Sequence, residues 1–277
     1  MADKGLVAAV RAAIARRGGG RGGSRVGTHR RGSREALRAP LTYPAGHPFG
    51  VGPLAAVAVS GGPDSMALAL LAHEAGYDVR TFTVDHGLRP DSAAEAHRVH
   101  AWLTARGLPH RVLPLDWRAV GGPPSGAGTQ VAARLRRYTA LVDAAEAADC
   151  ATLLVGQHAD DQAETLLLRL GMGSTVDGLA AMRPAVAVPV DVGRPTAVRV
   201  VRPLLPHTKA ELEQWLRERG APWVLDPSNA KPVYKRNRVR LALAALPTDL
   251  RPALGALQAW CAAHAAHAYA HGTPGTL

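Results

Sequence analysis

The chain has 277 residues and a mass of 29.0 kDa, enough for one large domain with an appendage or for two modest domains. Hydrophobic residues make up 47% and aromatics only 4%, so the core must rest on Ala, Val and Leu, while two cysteines and no long apolar run exclude disulfide-rich and membrane-spanning classes. Lys and Arg total 33 against 22 Asp and Glu, net +11, and the excess points to a polyanion, nucleic acid first, unless it only mirrors an Arg- and Ala-rich composition.

The start, Met-Ala-Asp-Lys, lacks the apolar core of a signal peptide, and a cytoplasmic location is expected. Residues 5–17 read as a short amphipathic helix with Leu6, Val7, Val10 and Ile14 on one side. From Gly18 to Gly52 the text is rich in Gly, Arg, Ser and Pro and reads as an arm: an RNA contact, a solvated linker or a transit peptide. Leu54–Val59 is a buried-strand run, followed by Ser60–Ser65 (SGGPDS) and a helix over Met66–Ala75. Strands are expected at Val79–Val84, Arg111–Leu115, Ala151–Val155 and Val198–Val201, and helices at Ser92–Arg106, Gln130–Ala148 and Asp161–Leu170. A Gly/Pro loop covers Gly121–Gly128. Strand and helix alternate, which predicts an α/β fold with a parallel sheet covered by helices on both faces. Helices at Lys209–Arg219 and Pro247–His271 then predict a small C-terminal helical domain. The expected division is 1–52, 53–206 and 207–277.

The strand–SGGPDS–helix unit is the sharpest local signal. Gly61 and Gly62 let the backbone turn tightly and aim N–H groups at one point, and the next helix adds its positive end. Ser60 and Ser65 offer further donors. Asp64 would hold Mg²⁺ beside a phosphate, or else merely cap the helix. The loop is neither G-x-x-x-x-G-K-[ST] nor G-x-G-x-x-G.

In the form S-G-G-x-D-S the loop resembles the PP-loop of the ATP pyrophosphatases, and five more blocks resemble the tRNA(Ile)-lysidine synthetase family. They are Thr83–Arg89 (TVDHGLR), Ala133–Tyr138 (ARLRRY) and Gly156–Thr165 (GQHADDQAET), then Arg202–Leu205 with Lys209, and Trp223–Asn229 with Arg236–Arg240 (RNRVR). The resemblance implies a Rossmann-like PP-loop domain that uses ATP and Mg²⁺. It implies ligation of free L-lysine to C2 of the wobble cytidine of tRNA(Ile) with anticodon CAU, through an adenylated cytidine.

The residues themselves agree with such chemistry. Asp161 and Glu164 are three apart on an expected helix, so their carboxylates share a face and can hold a metal or orient a nucleophile. Asp85, His86 and His158 follow strand ends, where parallel sheets bind ligands. Expected catalytic residues are Asp64, Asp161, Glu164 and Arg202, with Asp64 and Asp161 on the metal. ATP is assigned to Ser60–Ser65, Asp85, His86 and His158. Lys231, Lys235, Arg236, Arg238 and Arg240 put five cations in ten residues, and with Asn237, Arg134, Arg137 and Lys209 they are the expected tRNA contacts. A homodimer is left open.

Four features run against the family pattern. Met172 and Thr175 stand where L-x-R-G-S-G has an arginine and a glycine, Gln157 replaces the usual residue before the histidine, the basic arm at 18–52 is longer than the family's usual start, and the further C-terminal domain of longer members is not expected. Two rivals stay open: another amine- or sulfur-transferring PP-loop enzyme, and, on Met172 and the basic arm, a silent RNA-binding protein that kept the fold. Cys150 and Cys261 read as small hydrophobes, which sets the chain apart from thiolating relatives. His264, His267 and His271 share one helix face, either as a surface stripe or as metal ligands.

Overall fold

The computed structural model describes residues 2–15, 53–117, 122, 129–188, 192–225, 235–246 and 250–270. The arm at 18–52, most of the Gly/Pro loop, and Lys231 lie outside these residues. Among them, six strands form one sheet in the order β3-β2-β1-β4-β6-β5. The strands are β1 (Leu54–Ala58), β2 (Asp78–Asp85), β3 (His110–Pro114), β4 (Thr152–Leu154), β5 (Ala185–Ala187) and β6 (Arg199–Val201). All neighbours are parallel except β5, which pairs antiparallel with β6 at the edge. The helices are α1 (Ala2–Ala15), α2 (Pro63–Glu74), α3 (Ser92–Thr104), α4 (Thr129–Ala147), α5 (Ala159–Leu170), α6 (Val176–Leu179), α7 (Lys209–Glu218), α8 (Lys235–Ala245) and α9 (Leu250–Ala270).

The two-residue period of the strands sorts the core into two layers. Ala56, Phe82, Leu113, Leu153 and Val200 meet Tyr138, Leu141, Val142 and Ala145 of α4. On the other face the hydroxyls of Thr81 and Thr83 are tied to backbone, Thr81 Oγ1 donating to Pro109 O at 2.7 Å. Thr83 Oγ1 donates to Val59 O at 2.7 Å and lies 2.9 Å from His110 Nε2. Its one proton being spent on Val59, Thr83 must accept from His110 Nε2–H. His110 Nδ1 then accepts from His100 Nδ1–H of α3 at 3.0 Å. Burial, aided by His100, drives the His110 pKa down to about 3, so the ring stays neutral and this chain of bonds is fixed.

Local differences from expectation have local causes. Helix α2 starts at Pro63 because proline suits the first helical turn, where a missing N–H costs nothing. The three-residue edge strand β5 and the four-residue α6 are too short for periodicity to reveal. Helix α8 begins Lys-Arg-Asn-Arg, a polar start that hides its apolar stripe. Helix α1 is amphipathic as read: Val10 and Ile14 are buried, and Arg11 Nε donates to Ala75 O at the end of α2.

Two compact units emerge, interleaved along the chain. The first comprises 1–156, 185–203 and 210–224, including the whole sheet and most of α7. The second comprises 157–184, 204–209 and 225–277, with α5, α6, α8 and α9.

Candidate nucleotide site

In the first unit, strand order reverses at β1, whose neighbours β2 and β4 lie on opposite sides. Ligands of such sheets collect at this switch, beyond the carboxyl ends of the strands. Ser60–Ser65 lies there. Gly61 has φ +89°, a conformation that suits glycine, and a Cβ on it would fall 2.6 Å from Val99 Cγ2 and 3.1 Å from Val224 Cγ2. Its carbonyl accepts from Val224 N at 2.8 Å. Ser65 Oγ donates to Gly62 O at 3.0 Å and accepts from Ser60 N at 3.1 Å. With Ser65's proton spent, the 3.2 Å contact between the two hydroxyls has Ser60 as donor. The serine hydroxyls therefore brace the turn, and the first-turn N–H groups of α2 carry the anion-binding capacity.

Gly156, just beyond β4, is also forced. A Cβ there would sit 3.2 Å from the backbone C and O of Asp64 and from Ser65 Cα. Asp64 is half-buried in the first turn of α2, with Oδ1 withdrawn from solvent. Among the described residues no three His, Cys, Asp or Glu side chains gather into a metal cage. A Mg²⁺ ion on nucleotide phosphates needs only one or two carboxylates, and Asp64 beside the glycine turn fits that requirement.

Asp85 and His86 leave the end of the adjacent strand β2. Asp85 Oδ1 accepts from Gly87 N, and His86 Nδ1 accepts from Leu88 N, both at 3.0 Å, so His86 carries its proton on Nε2. Burial, then Arg89, lowers the His86 pKa. Trp117 Nε1 donates to His86 O at 2.6 Å, a support that the sequence did not signal. Arg202, next after β6, is buried, which lowers its pKa, with Tyr138 opposing and Arg134 adding. The Arg134 and Arg137 guanidinium carbons lie 4.9 and 6.0 Å from the Tyr138 ring centroid. Two expected site arginines thus flank one tyrosine, which also bears electrostatically on Arg202.

In the second unit, His158 precedes α5 and its backbone N–H donates to Asp161 Oδ2 at 3.2 Å. The His158 ring is buried, 3.4 Å from Asp160 Oδ2 and 3.5 Å from Asp161 Oδ2. Asp160, not singled out in the sequence, accepts from Lys209 N at 2.8 Å. Glu164 is 1% exposed, and its Oε1 accepts from Arg240 Nε at 2.6 Å. One helix face therefore carries two carboxylates with separate partners, Asp161 on the helix start and Glu164 on Arg240. Arg238 is exposed, and Lys235, Arg236 and Asn237 open α8. Met172 is 61% exposed, and Thr175 precedes α6. The nearby Arg169 is committed to the carbonyls of Gly178 and Ala181.

Residues 52–246 match the PP-loop domain. The tRNA(Ile)-lysidine synthase of Zymomonas mobilis is 39% identical over 205 residues, 74% of this chain and 60% of the relative. That of Novosphingobium aromaticivorans is 45% identical over 189 residues, 68% of this chain and 55% of the relative. The chain thus spans somewhat over half the length of these relatives. Among solved structures, the U34-tRNA thiolase NcsA from Methanococcus maripaludis, which has a [4Fe-4S] cluster, is similar in fold, with TM-score 0.60 at 15% identity over 86% of this chain and 79% of that one. A match over most of the chain, together with a glycine turn at the carboxyl end of β1, makes this protein a member of the PP-loop domain family.

Proposed function

We propose that this chain is a tRNA(Ile)-lysidine synthase that acts in the cytoplasm, ligating free L-lysine to C2 of the wobble cytidine of tRNA(Ile) with anticodon CAU. The observation that carries the reading is the 39–45% identity to two synthases over 189–205 residues. No helix among the described residues is long and apolar enough to cross a membrane.

ATP phosphates lie on the Gly61–Gly62 turn and the start of α2, whose N–H groups stabilise negative charge without reorganising. Asp64 and Asp161 would hold Mg²⁺, which would supply charge neutralisation on the phosphates. The cytidine O2 forms a bond to the α-phosphorus as the bond to the β-phosphate bridging oxygen breaks, and pyrophosphate leaves. The lysine amine then forms the C2–N bond, loses a proton, and AMP departs with O2. Arg202 adds positive charge beside the transferred group, and His86 and His158 orient the nucleotide. Glu164 acts through Arg240, which it holds in place. The helical part after 207, with Lys209, Lys235, Arg236, Asn237 and Arg238, and Arg134 and Arg137 from α4, meets tRNA phosphates. The wobble base lies in a loop, so extruding it is inexpensive.

A second reading rests on Met172, exposed where the resemblance has an arginine: a protein that binds tRNA without turning it over. Pyrophosphate release from ATP with Mg²⁺ separates the two. Release that requires tRNA(Ile) with CAU, with lysine entering the RNA and tRNA(Met) inert, supports the synthase. Tight tRNA binding without release, unchanged in Met172→Arg, supports the binder.

A further inference from the structure

Helix α9 is held on the second unit by one side. Cys261 is 1% exposed and packs on Ala180, whose carbonyl accepts from Gln258 Nε2 at 2.8 Å. An adjoining stripe is left open: Trp260 is 52% exposed and Leu257 38%, and Ala253, Ala256, Ala263 and His264 are exposed beside them. Trp260 does not hang loose. The His264 ring stacks on it with centroids 3.8 Å apart and planes at 33°, and His264 Nδ1–H donates to Trp260 O at 2.9 Å. The indole is therefore braced by a ring that is itself pinned, yet half of its surface stays exposed among small, exposed alanines.

Charge decides what kind of partner fits. From Lys235 to the last residue the chain carries Lys235, Arg236, Arg238, Arg240 and Arg251 against a single acid, Asp249, and from Leu250 onward there is no carboxylate at all. With Arg240 engaged by Glu164, the stretch still carries four cations against one acid, and a cationic stretch with one rigid, exposed indole suits a nucleobase on an anionic backbone better than an apolar protein face, which would need a broad patch. We propose that Trp260, braced by His264, is a stacking platform for an unpaired base of the tRNA substrate. This rests on the tRNA reading above and adds a contact on α9, outside the nucleotide site. Because the indole is already fixed, stacking costs little side-chain entropy.

The test is filter binding of tRNA(Ile) bearing CAU by the full chain across a salt series. Trp260→Ala should weaken binding roughly five- to a hundredfold, the range of one base stack, and Trp260→Phe should stay within about threefold of wild type. The slope of log affinity against log salt should be unchanged in Trp260→Ala, whereas Arg238→Ala should flatten it by roughly 0.7–0.9 for one lost phosphate. His264→Ala, which removes the brace but keeps the indole, should weaken binding by a smaller factor. All four variants should melt within a few degrees of wild type, since the changed side chains are exposed. If the wild type binds and Trp260→Ala matches it within twofold, the platform is refuted and the tRNA reading stands. If the wild type binds no tRNA, both fall. If Trp260→Ala instead splits a dimer while tRNA affinity holds, the stripe belongs to a second copy and the proposal fails.

Discussion

Adding a methyl to Gly61 tests whether the phosphate loop is held by its surroundings as well as by its own bonds. Gly61→Ala meets two separable penalties. The first is conformational: φ +89° is hostile to a Cβ and costs about 1–2 kcal/mol. The second is steric: the new Cβ would lie 2.6 Å from Val99 Cγ2, and Val99 is a β-branched residue on α3, confined to essentially one rotamer. Val99 is 1% exposed, so it cannot swing into solvent, and overpacking of this kind costs about 1–3 kcal/mol. Together Gly61→Ala should destabilise by about 2–5 kcal/mol. Val99→Ala alone removes two buried methyls and should cost about 2 kcal/mol. In the double variant the methyl at 61 enters the space vacated at 99. The backbone penalty, a reduced cavity and the 3.1 Å approach to Val224 Cγ2 then remain, so the two changes should couple favourably by about 1–3 kcal/mol. Urea unfolding followed by circular dichroism gives the four free energies, and ATP affinity should follow the same order. A double variant whose loss equals the sum of the singles within about 0.5 kcal/mol would refute the steric half of the argument.

Ser65→Ala should impair ATP binding more than Ser60→Ala, since it removes the acceptor for Ser60 N and the donor to Gly62 O together; equal effects in titration calorimetry would contradict the bracing role. Arg240→Met leaves the Glu164 carboxylate buried without its cation and should lower stability by about 3–5 kcal/mol, whereas Glu164→Gln with Arg240→Met should recover much of it, read from urea midpoints. His110 binds its proton at about pH 3 when folded and near 6.5 when unfolded, so the unfolded chain takes up protons first as pH falls. Stability should drop by up to about 1.4 kcal/mol per pH unit below 6.5 through this group, and His110→Gln should shed that share of the loss between pH 7 and pH 5. Burial pushes the Cys150 thiol up to about 12, so iodoacetamide at pH 8 should leave it unmodified in the folded chain and label it in urea, as mass spectrometry of the digested peptide would show.

The parallel sheet was legible because short Val-, Leu- and Ala-rich stretches, Leu54–Ala58 the purest, alternate with helical stretches and end in turn signals, while the short edge strand β5 left no such trace. The phosphate loop was legible for a sharper reason. The φ of Gly61 strongly favours glycine, and a Cβ at 156 would crowd the backbone of Asp64 and Ser65, so both glycines stand out as letters. What could not be read was partnership between distant side chains. Glu164 and Arg240 are 76 residues apart, and nothing in either segment says that one closes on the other. His100 and His110 look like unrelated polar residues on a helix and a strand, and only the register of β2 with β3 brings Thr83 to them. The serine hydroxyls were read as ligand donors, whereas counting their protons in the folded loop assigns both to its own frame.

The same counting changes how the charge of +11 should be understood. An arginine-rich chain invites the inference of a polyanion partner, yet many of these guanidinium groups are committed inside the fold. Arg11, Arg106 and Arg169 donate to backbone carbonyls at helix ends or turns. Arg89, Arg194, Arg219 and Arg240 each hold a carboxylate from another part of the chain. The planar fork suits these tasks, because it can serve two acceptors at once and never loses its charge. Net charge therefore overstates what is offered outward. Among the described residues, the arginines proposed above for tRNA include Arg134 and Arg137 at Tyr138 and exposed Arg238 on α8. Each such phosphate contact adds to the salt dependence of binding, whereas stacking on the exposed, braced indole proposed on α9 would add affinity that salt leaves unchanged.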